Sequence, residues 1–389
     1  MKKQIDCRTN TDFVIVTCFN VFETRVKYVV NSLNEKGWSY CILASDFSHR
    51  DKKYYSIENQ RCTYQLHVPK YKKNMSFKRL FSHNAFAKKV YKALLSIRPN
   101  AIYIVAPPNS LFKYIKKYVN KYPNTRIIFD IFDVWPETLP LGCKTKKLLA
   151  VPLMMWRRRR DNYLCKNFEY VFECNLFNDY FKRRYGLLNC QTIYLGRKKY
   201  SDYIIGVSNT NPLNFVYLGS INNIIDIDLI ILFLSELKKY KPVFLKIIGA
   251  GEKESILKEK CFEQKIPYEF YGPVFDEEKK AKILSDCHFG LNVFKESVFV
   301  GLTMKSIEYF HWGLAFINTI KGDTFKIVES NQCGYNINYD NFKSAAKACS
   351  LLDVDSINKM KNNSFCVYES LFDASIIQKK FDILIVNIE

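Results

Sequence analysis

The sequence predicts an α/β protein made of two Rossmann-like halves, and three observations carry that expectation. Short runs of β-branched and aromatic residues alternate with helical stretches along the chain, the pattern of βαβ units on a parallel sheet. The alternation pauses at a polar, turn-rich stretch, GRKKYSDYIIGVSNTNPLN (196–214), the expected linker. The 389 residues exceed one usual domain and suit two. The expected division is 1–200, 201–365, and a tail at 366–389 that returns to the first domain.

FVIVTCF (13–19) reads as a buried strand, short and rich in branched and aromatic side chains. A helix follows over 25–36 and ends at Gly37. SYCILASDF (39–47) reads as a second strand. After a basic, irregular segment, a helix over 78–96 leads to AIYIVAPP (101–108), a strand stopped by prolines. Helix 110–121 precedes the strand and turn RIIFDIFDVWPE (126–137). In the second half, strands are expected at 214–220, 243–252, 268–274, 288–294 and 315–320. Helices are expected at 227–240, 253–264, 277–285 and 303–312, and then a helical tail. Open α/β sheets bind ligands beyond the carboxyl ends of their strands. The chemistry is therefore expected at DVWPE, at GSINN, at GAGE and ahead of the helix at 303.

Composition narrows the class. Apolar residues make up 48% and charged residues 25%, as in a soluble globular chain with a sizeable core. No run is long and apolar enough for a membrane span. The start, MKKQIDCRTNTDFVIV, mixes polar residues into its basic opening and does not read as a signal peptide. Thirteen cysteines, none in a C-x-x-C pair, read as reduced thiols of a cytosolic protein. The net charge of +21 is uneven. Residues 1–200 hold 38 Lys and Arg against 14 Asp and Glu, and residues 201–389 hold 21 against 24. A basic first half is drawn to something anionic, either nucleic acid or a membrane leaflet. KTKKLLAVPLMMWRRRRDNYL (144–164) sets Leu148, Val151, Met155 and Trp156 among clustered cations. That pattern suits the surface of an anionic bilayer, and equally a core helix followed by solvated arginines.

In VFVGLTMKSIEYFHWG (298–313), a loop leads into a helix whose first turn offers free backbone N–H groups and the positive end of its dipole. Gly301 allows close approach of a ligand, Thr303 can cap, and Lys305 adds a full charge. Glu308 can accept two hydrogen bonds from a sugar. The same spacing also describes an ordinary solvated helix face. Asp226-Ile-Asp228 spells the D-x-D of metal–nucleotide sites, but it precedes a helix, where aspartates cap, so no metal is expected.

The run GLTMKSIEYFHWGLAFINT, with YLGSINN and IIGAGE before it, resembles the nucleotide-sugar half of GT-B glycosyltransferases. The resemblance is to the large retaining family four, of the bacterial capsule and exopolysaccharide type. It implies a GT-B fold, two Rossmann-like domains facing a central cleft, and an enzyme without a cofactor. In that family a glutamate at the place of Glu308 holds the nucleotide ribose, with a glycine, here Gly313, five residues on. The amides of Gly301, Leu302, Thr303 and Met304 would cradle the diphosphate. Gly249 and Gly251 would form the turn near the base, with Gly219, Ser220, Asn222 and Asn223 completing the donor site. The family's first glutamate, its arginine and its lysine are replaced by Val300, Ser220 and Ile225. Lys305 and Lys321 are the substitute cations. FDIFDVWPE resembles the D-x-W-P-E turn of polysaccharide glycosyltransferases, with Phe132 where a histidine is common. Asp133 and Glu137, with Arg25 and His49, form the expected acceptor set. Asp133 equally suits a helix cap, and His49 a surface position. Asp133, Lys305 and Glu308 are the expected catalytic residues.

The implied partners are a nucleotide diphosphate sugar, expected to be UDP-linked, a polyprenyl-diphosphate-linked acceptor, and an anionic membrane met through the basic half. The implied location is cytoplasmic, peripheral at the inner face of the plasma membrane. Rival readings are a protein-acceptor transferase or a nucleotide-sugar epimerase on the same fold, and a non-catalytic partner protein. A nucleic-acid-binding protein is the remaining rival. The cations come without a recognition motif and the aromatics fall in strand patterns, so no nucleic acid is expected.

Overall fold

The computed structural model describes residues 11–19, 23–56, 62–73, 76–139, 143–200 and 205–386. The amino-terminal start and part of the expected linker lie outside them, as do the side chains of Lys144 and Lys146. The chain forms two compact units, residues 1–193 with 378–389, and residues 194–377.

The first unit is a seven-stranded sheet of β1 (Phe13–Thr17), β2 (Tyr40–Ser45), β3 (Thr63–Leu66), β4 (Ala101–Ala106), β5 (Arg126–Ile131), β6 (Glu169–Phe172) and β7 (Cys190–Thr192). Its order is β3-β2-β1-β4-β5-β6-β7, and every pair is parallel. The central strands β1 and β4 are apolar at nearly every position because helices cover both faces. The second unit holds β8 (Leu213–Leu218), β9 (Val243–Ile248), β10 (Tyr268–Gly272), β11 (Phe289–Asn292), β12 (Ala315–Asn318) and β13 (Gly334–Asn336). Its order is β10-β9-β8-β11-β12-β13, again all parallel. Each sheet therefore reverses its strand order once, between β1 and β4 and between β8 and β11. Crevices for ligands open at the carboxyl ends of those strands.

Three strands escape the hydrophobic pattern. β3 (TYQL) lies in the segment expected to be irregular, β13 (GYN) lies in the expected helical tail, and β7 (CQT) is short and polar. All are sheet edges, where one neighbour suffices and a continuous apolar run is not required.

A buried ion pair ties the first unit together. Arg25, on the helix Glu23–Glu35, lies 1% exposed, and Asp130, on β5, is fully buried. The guanidinium donates through Nε and Nη2 to the two carboxylate oxygens at 2.5 and 2.8 Å, and through Nη1 to the Ile193 carbonyl at 2.9 Å. Tyr103 donates its hydroxyl to the same carboxylate. Arg25 was expected at the acceptor surface. Its burial in this bidentate pair removes it from that role. The last helix, Ala374–Val386, joins the same unit from Gln378 onward. There Gln378 Nε2 donates to the Tyr28 carbonyl at 3.0 Å, Ser32 Oγ donates to Asp382 at 2.6 Å, and Phe381 stacks on Tyr28.

Removing one partner of a buried pair strands the other charge. Arg25→Ala is expected to lower unfolding free energy by about 3–5 kcal/mol. Arg25→Met combined with Asp130→Leu should recover most of that loss. Urea titrations of the three proteins measure it.

Candidate active site

The crevice of the second sheet is built on three asparagines. Asn292, Asn318 and Asn336 end β11, β12 and β13, and the parallel register sets them side by side. Asn292 Nδ2 donates to Asn318 Oδ1 at 2.8 Å, and Asn318 Nδ2 to Asn336 Oδ1 at 2.7 Å. Asn292 Nδ2 also donates to Ser306 Oγ at 3.1 Å, on the first turn of the helix Met304–His311. That helix is capped by Thr303, whose Oγ1 accepts from the Ser306 N–H at 3.0 Å. Gly301 is buried, and its carbonyl accepts both the N–H and the hydroxyl of Thr324 at 2.9 Å. Leu302 is a core side chain and Met304 is exposed. The helix ends at Gly313, whose φ of +55° suits a residue without a Cβ.

So anchored, the helix aims Lys305 back at the strand ends. Its Nζ lies 3.8 Å from the centre of the Tyr217 ring and 5.0 Å from that of Phe294. The amine is buried and has no hydrogen-bond partner. Burial holds its pKa well below the ordinary lysine range. Gly219, just past β8, adjoins it: a Cβ there would stand 3.4 Å from Lys305 Cε. A buried amine without a hydrogen-bond partner costs stability unless a ligand completes it. This amine sits at the carboxyl end of the strand where the order reverses.

Several expected donor residues have structural duties. A Cβ on Gly249 would stand 1.9 Å from the Gly219 carbonyl oxygen, and one on Gly251 2.2 Å from that of Ile221. These glycines let two backbone turns touch. Ser220 is exposed, and its carbonyl accepts from the Tyr217 hydroxyl at 2.7 Å. Asn222 turns its own loop by accepting from the Ile224 N–H at 3.1 Å, and Asn223 donates to Glu252. Lys321 pairs with Glu296 at the surface. Asp226 caps the helix Ile227–Leu237, as its place in the sequence suggested.

Glu308 requires a correction. An open carboxylate was expected, but Oε1 accepts from Arg197 Nη1 at 2.7 Å and Lys280 Nζ at 3.3 Å, and Oε2 from Trp312 Nε1 at 3.0 Å. Arg197 also binds Glu277 at 2.6 Å. Glu308 is 14% exposed and balances two cations, so it is an anchor of this network and not a free sugar acceptor.

In the first unit, Asp133 follows β5 and accepts from Trp135 Nε1 and the Thr138 hydroxyl. Burial raises its pKa to about 6 against the opposing effect of those two hydrogen bonds. Glu137 is committed elsewhere. It pairs with Arg160, 1% exposed, at 2.9 Å, and accepts from the Tyr180 hydroxyl at 2.8 Å. Its expected acceptor role is thereby corrected, and Arg160 leaves the exposed arginine cluster. His49 Nδ1 lies 2.6 Å from the Tyr71 hydroxyl, and burial with the nearby Arg79 and Lys52 charges lowers its pKa to about 4. Arg79, His83 and Tyr71 carry no motif that marks them. Only the i, i+4 spacing of Arg79 and His83 on the helix Phe77–Ile97 marks two of them as sharing a face.

No family model matches the chain, and no curated protein matches it by sequence. Solved structures do. Sucrose-phosphate synthase from Thermosynechococcus elongatus is similar at a TM-score of 0.69 and 12% identity, over 97% of this chain and 98% of that one. Anabaena HepE in complex with UDP is similar at 0.65 and 11%, over 96% and 99%. The lipopolysaccharide outer core galactosyltransferase WaaB is similar at 0.64 and 12%, over 96% and 99%. With its two parallel, doubly wound sheets, the chain has the GT-B fold.

Proposed function

We propose that the protein is a hexosyltransferase that moves a sugar from a nucleotide diphosphate sugar, UDP-linked, onto a lipid-linked glycan acceptor. The observation that carries this reading is the buried Lys305 amine, left without a hydrogen-bond partner at the carboxyl end of β8. A diphosphate supplies the negative charge this amine lacks, and the adjoining helix start supplies N–H donors. Two solved neighbours of similar fold support this reading: one carries UDP and another is a galactosyltransferase of the lipopolysaccharide outer core.

In this reading the acceptor hydroxyl attacks the anomeric carbon as the bond to the diphosphate oxygen breaks. Charge grows on the departing diphosphate, where Lys305 is placed to stabilise it. The acceptor proton passes to the leaving phosphate oxygen on the same face, and the configuration is retained. Asp133, as carboxylate, accepts a hydrogen bond from the acceptor and orients it. The setting is surface polysaccharide synthesis at the inner face of the plasma membrane. Exposed Phe77, Phe81, Leu148, Val151 and Met155 beside exposed Arg158 and Arg159 support contact with an anionic leaflet. Among the described residues no helix is long and apolar enough to cross a membrane.

UDP and UDP-sugars are expected to raise the melting temperature of the protein. Total absence of a shift, and of transfer or hydrolysis, across a donor panel would refute the reading. Lys305→Met is expected to split two properties. Without ligand it should be more stable by roughly 1–3 kcal/mol at pH 7, because a buried amine without a hydrogen-bond partner is gone. Its UDP-induced shift should be lost, and calorimetry with and without UDP reads both effects.

Because Asp133 must be ionised to accept a hydrogen bond, kcat/KM for the acceptor should rise through pH of about 6, and the limb should vanish in Asp133→Asn. For stability the sign is opposite. The raised carboxyl pKa favours the folded state below it, and that contribution is lost as pH rises from the ordinary aspartate value to about 6.

A further inference from the structure

A polar depression of about 280 Å³ lies at the amino ends of β4 and β5, the end of the first sheet opposite to Asp133. Arg98, Asn100, Tyr118, Lys121, Asn124 and Thr125 line it around the Tyr122 ring, and no carboxylate is among the lining side chains. Among the described residues neither Arg98 nor Lys121 has a carboxylate partner. The Arg98 guanidinium lies 5.6 Å and the Lys121 amine 5.7 Å from the centre of the same Tyr122 ring. Asp12 touches this region only through Asn100 Nδ2, at 3.4 Å, and its other oxygen accepts from the Ser39 N–H at 2.9 Å and the Ser39 hydroxyl at 2.7 Å.

Two further features mark the depression. Arg98 closes the helix Phe77–Ile97 at φ +53° and ψ +59°, a left-handed conformation where glycine is the usual residue, and Pro99 follows it. An arginine here forgoes the easier backbone of glycine and sets a guanidinium over Tyr122. The helix Ser110–Val119 supplies the second feature, Tyr118, which is fully buried with its ring 5.0 Å from that of Tyr122. The Tyr118 hydroxyl lacks a hydrogen bond of ordinary geometry, and Thr125 is its polar neighbour. Burial raises its pKa while the Arg98 charge acts the other way, so the hydroxyl keeps a proton to donate. A buried donor without an acceptor costs stability until something completes it.

We infer that this depression is a binding site for a small soluble phosphate monoester, with the phosphate on Arg98 and Lys121 and a hydrogen bond from the Tyr118 hydroxyl. Two cations, with hydroxyl and amide donors and no acid, match a dianion. Nucleic acid fits less well, because a phosphodiester backbone engages a row of cations and the depression offers two. The exposed apolar side chains proposed to meet a membrane are remote. The 21-residue helix Phe77–Ile97 sets Arg98 roughly 30 Å from Phe77. The inference does not rest on the transferase reading, whose Lys305 belongs to the second unit.

The test is calorimetric titration of the full chain with glycerol 2-phosphate. It should bind at least about tenfold more tightly than glycerol or dimethyl phosphate. Arg98→Gly should weaken binding by roughly tenfold while its melting temperature stays at or above that of the parent, because glycine suits the left-handed backbone. Lys121→Met should weaken it by about the same factor, and Tyr118→Phe by roughly threefold. Lys305→Met should bind glycerol 2-phosphate as the parent does, which separates this site from the donor site. The inference is overturned if glycerol 2-phosphate shows no saturable binding, or if Arg98→Gly and Lys121→Met bind it as the parent does. Loss of binding in Lys305→Met would place the ligand at the donor site and overturn it too. Tighter, Arg98-dependent binding of phosphatidic acid vesicles would assign the phosphate to a lipid headgroup, and tighter binding of a DNA duplex would assign it to a phosphodiester backbone. Either result would overturn the soluble ligand.

Discussion

The placement of the candidate donor site depends on a row of amides. In a parallel pair the register sets equivalent residues beside each other, so three strands ending in asparagine present a continuous ladder of side-chain amides. Two amide–amide bonds run from Asn292 to Asn336 and one further N–H goes to Ser306, while the buried Asn292 Oδ1 keeps no hydrogen-bond partner. Ser306 and Thr303 close the cap of the following helix. Lys305, just ahead of Ser306, is thereby turned toward Tyr217 and Gly219. A buried polar network of this kind is stiff because each member left unsatisfied would cost the free energy of its desolvation.

The protein treats its buried charges in two ways. Arg25 with Asp130, Arg160 with Glu137, and Arg197 with Glu308 are paired through well-aligned hydrogen bonds. Such pairs fix geometry more than they add stability. Lys305 differs from these: its buried amine has no hydrogen-bond partner and lies over the Tyr217 and Phe294 rings. Departures from full satisfaction concentrate where a ligand completes the arrangement. The first unit offers a milder case, a crowd of basic groups around His49 and His83, with Asp133 raised towards neutrality beside them.

Much of the architecture was legible because strands buried on both faces advertise themselves as continuous apolar runs, as FVIVT and AIYIVA do. The edge strands TYQL, CQT and GYN were not, since their pairing depends on a neighbour far away in sequence. The site was legible in part. Lys305 was singled out as a charge on the first turn of a helix after a strand, and the structure sets it at a strand end. Arg25, Glu137 and Glu308 were singled out by the same logic, and each is met by an opposite charge distant in sequence. The chain order shows that a residue is charged but not which partner will reach it. Arg79 and His83 passed unnoticed for a related reason, because helical spacing alone does not reveal what lies opposite.

The sequence by itself determined the alternation of strands and helices, the two-unit plan, the excess of positive charge in the first half and the cap at Thr303. These follow from local chemistry: β-branched runs, side-chain oxygens ahead of helices, and residues counted along the chain. Only the tertiary structure decided which charges are spent in pairs and which stay open. It also decided that three asparagines stand in one row, and that Arg98 and Lys121 share the Tyr122 ring. Those facts depend on distances between residues far apart in the chain, and such distances are set by strand register and packing.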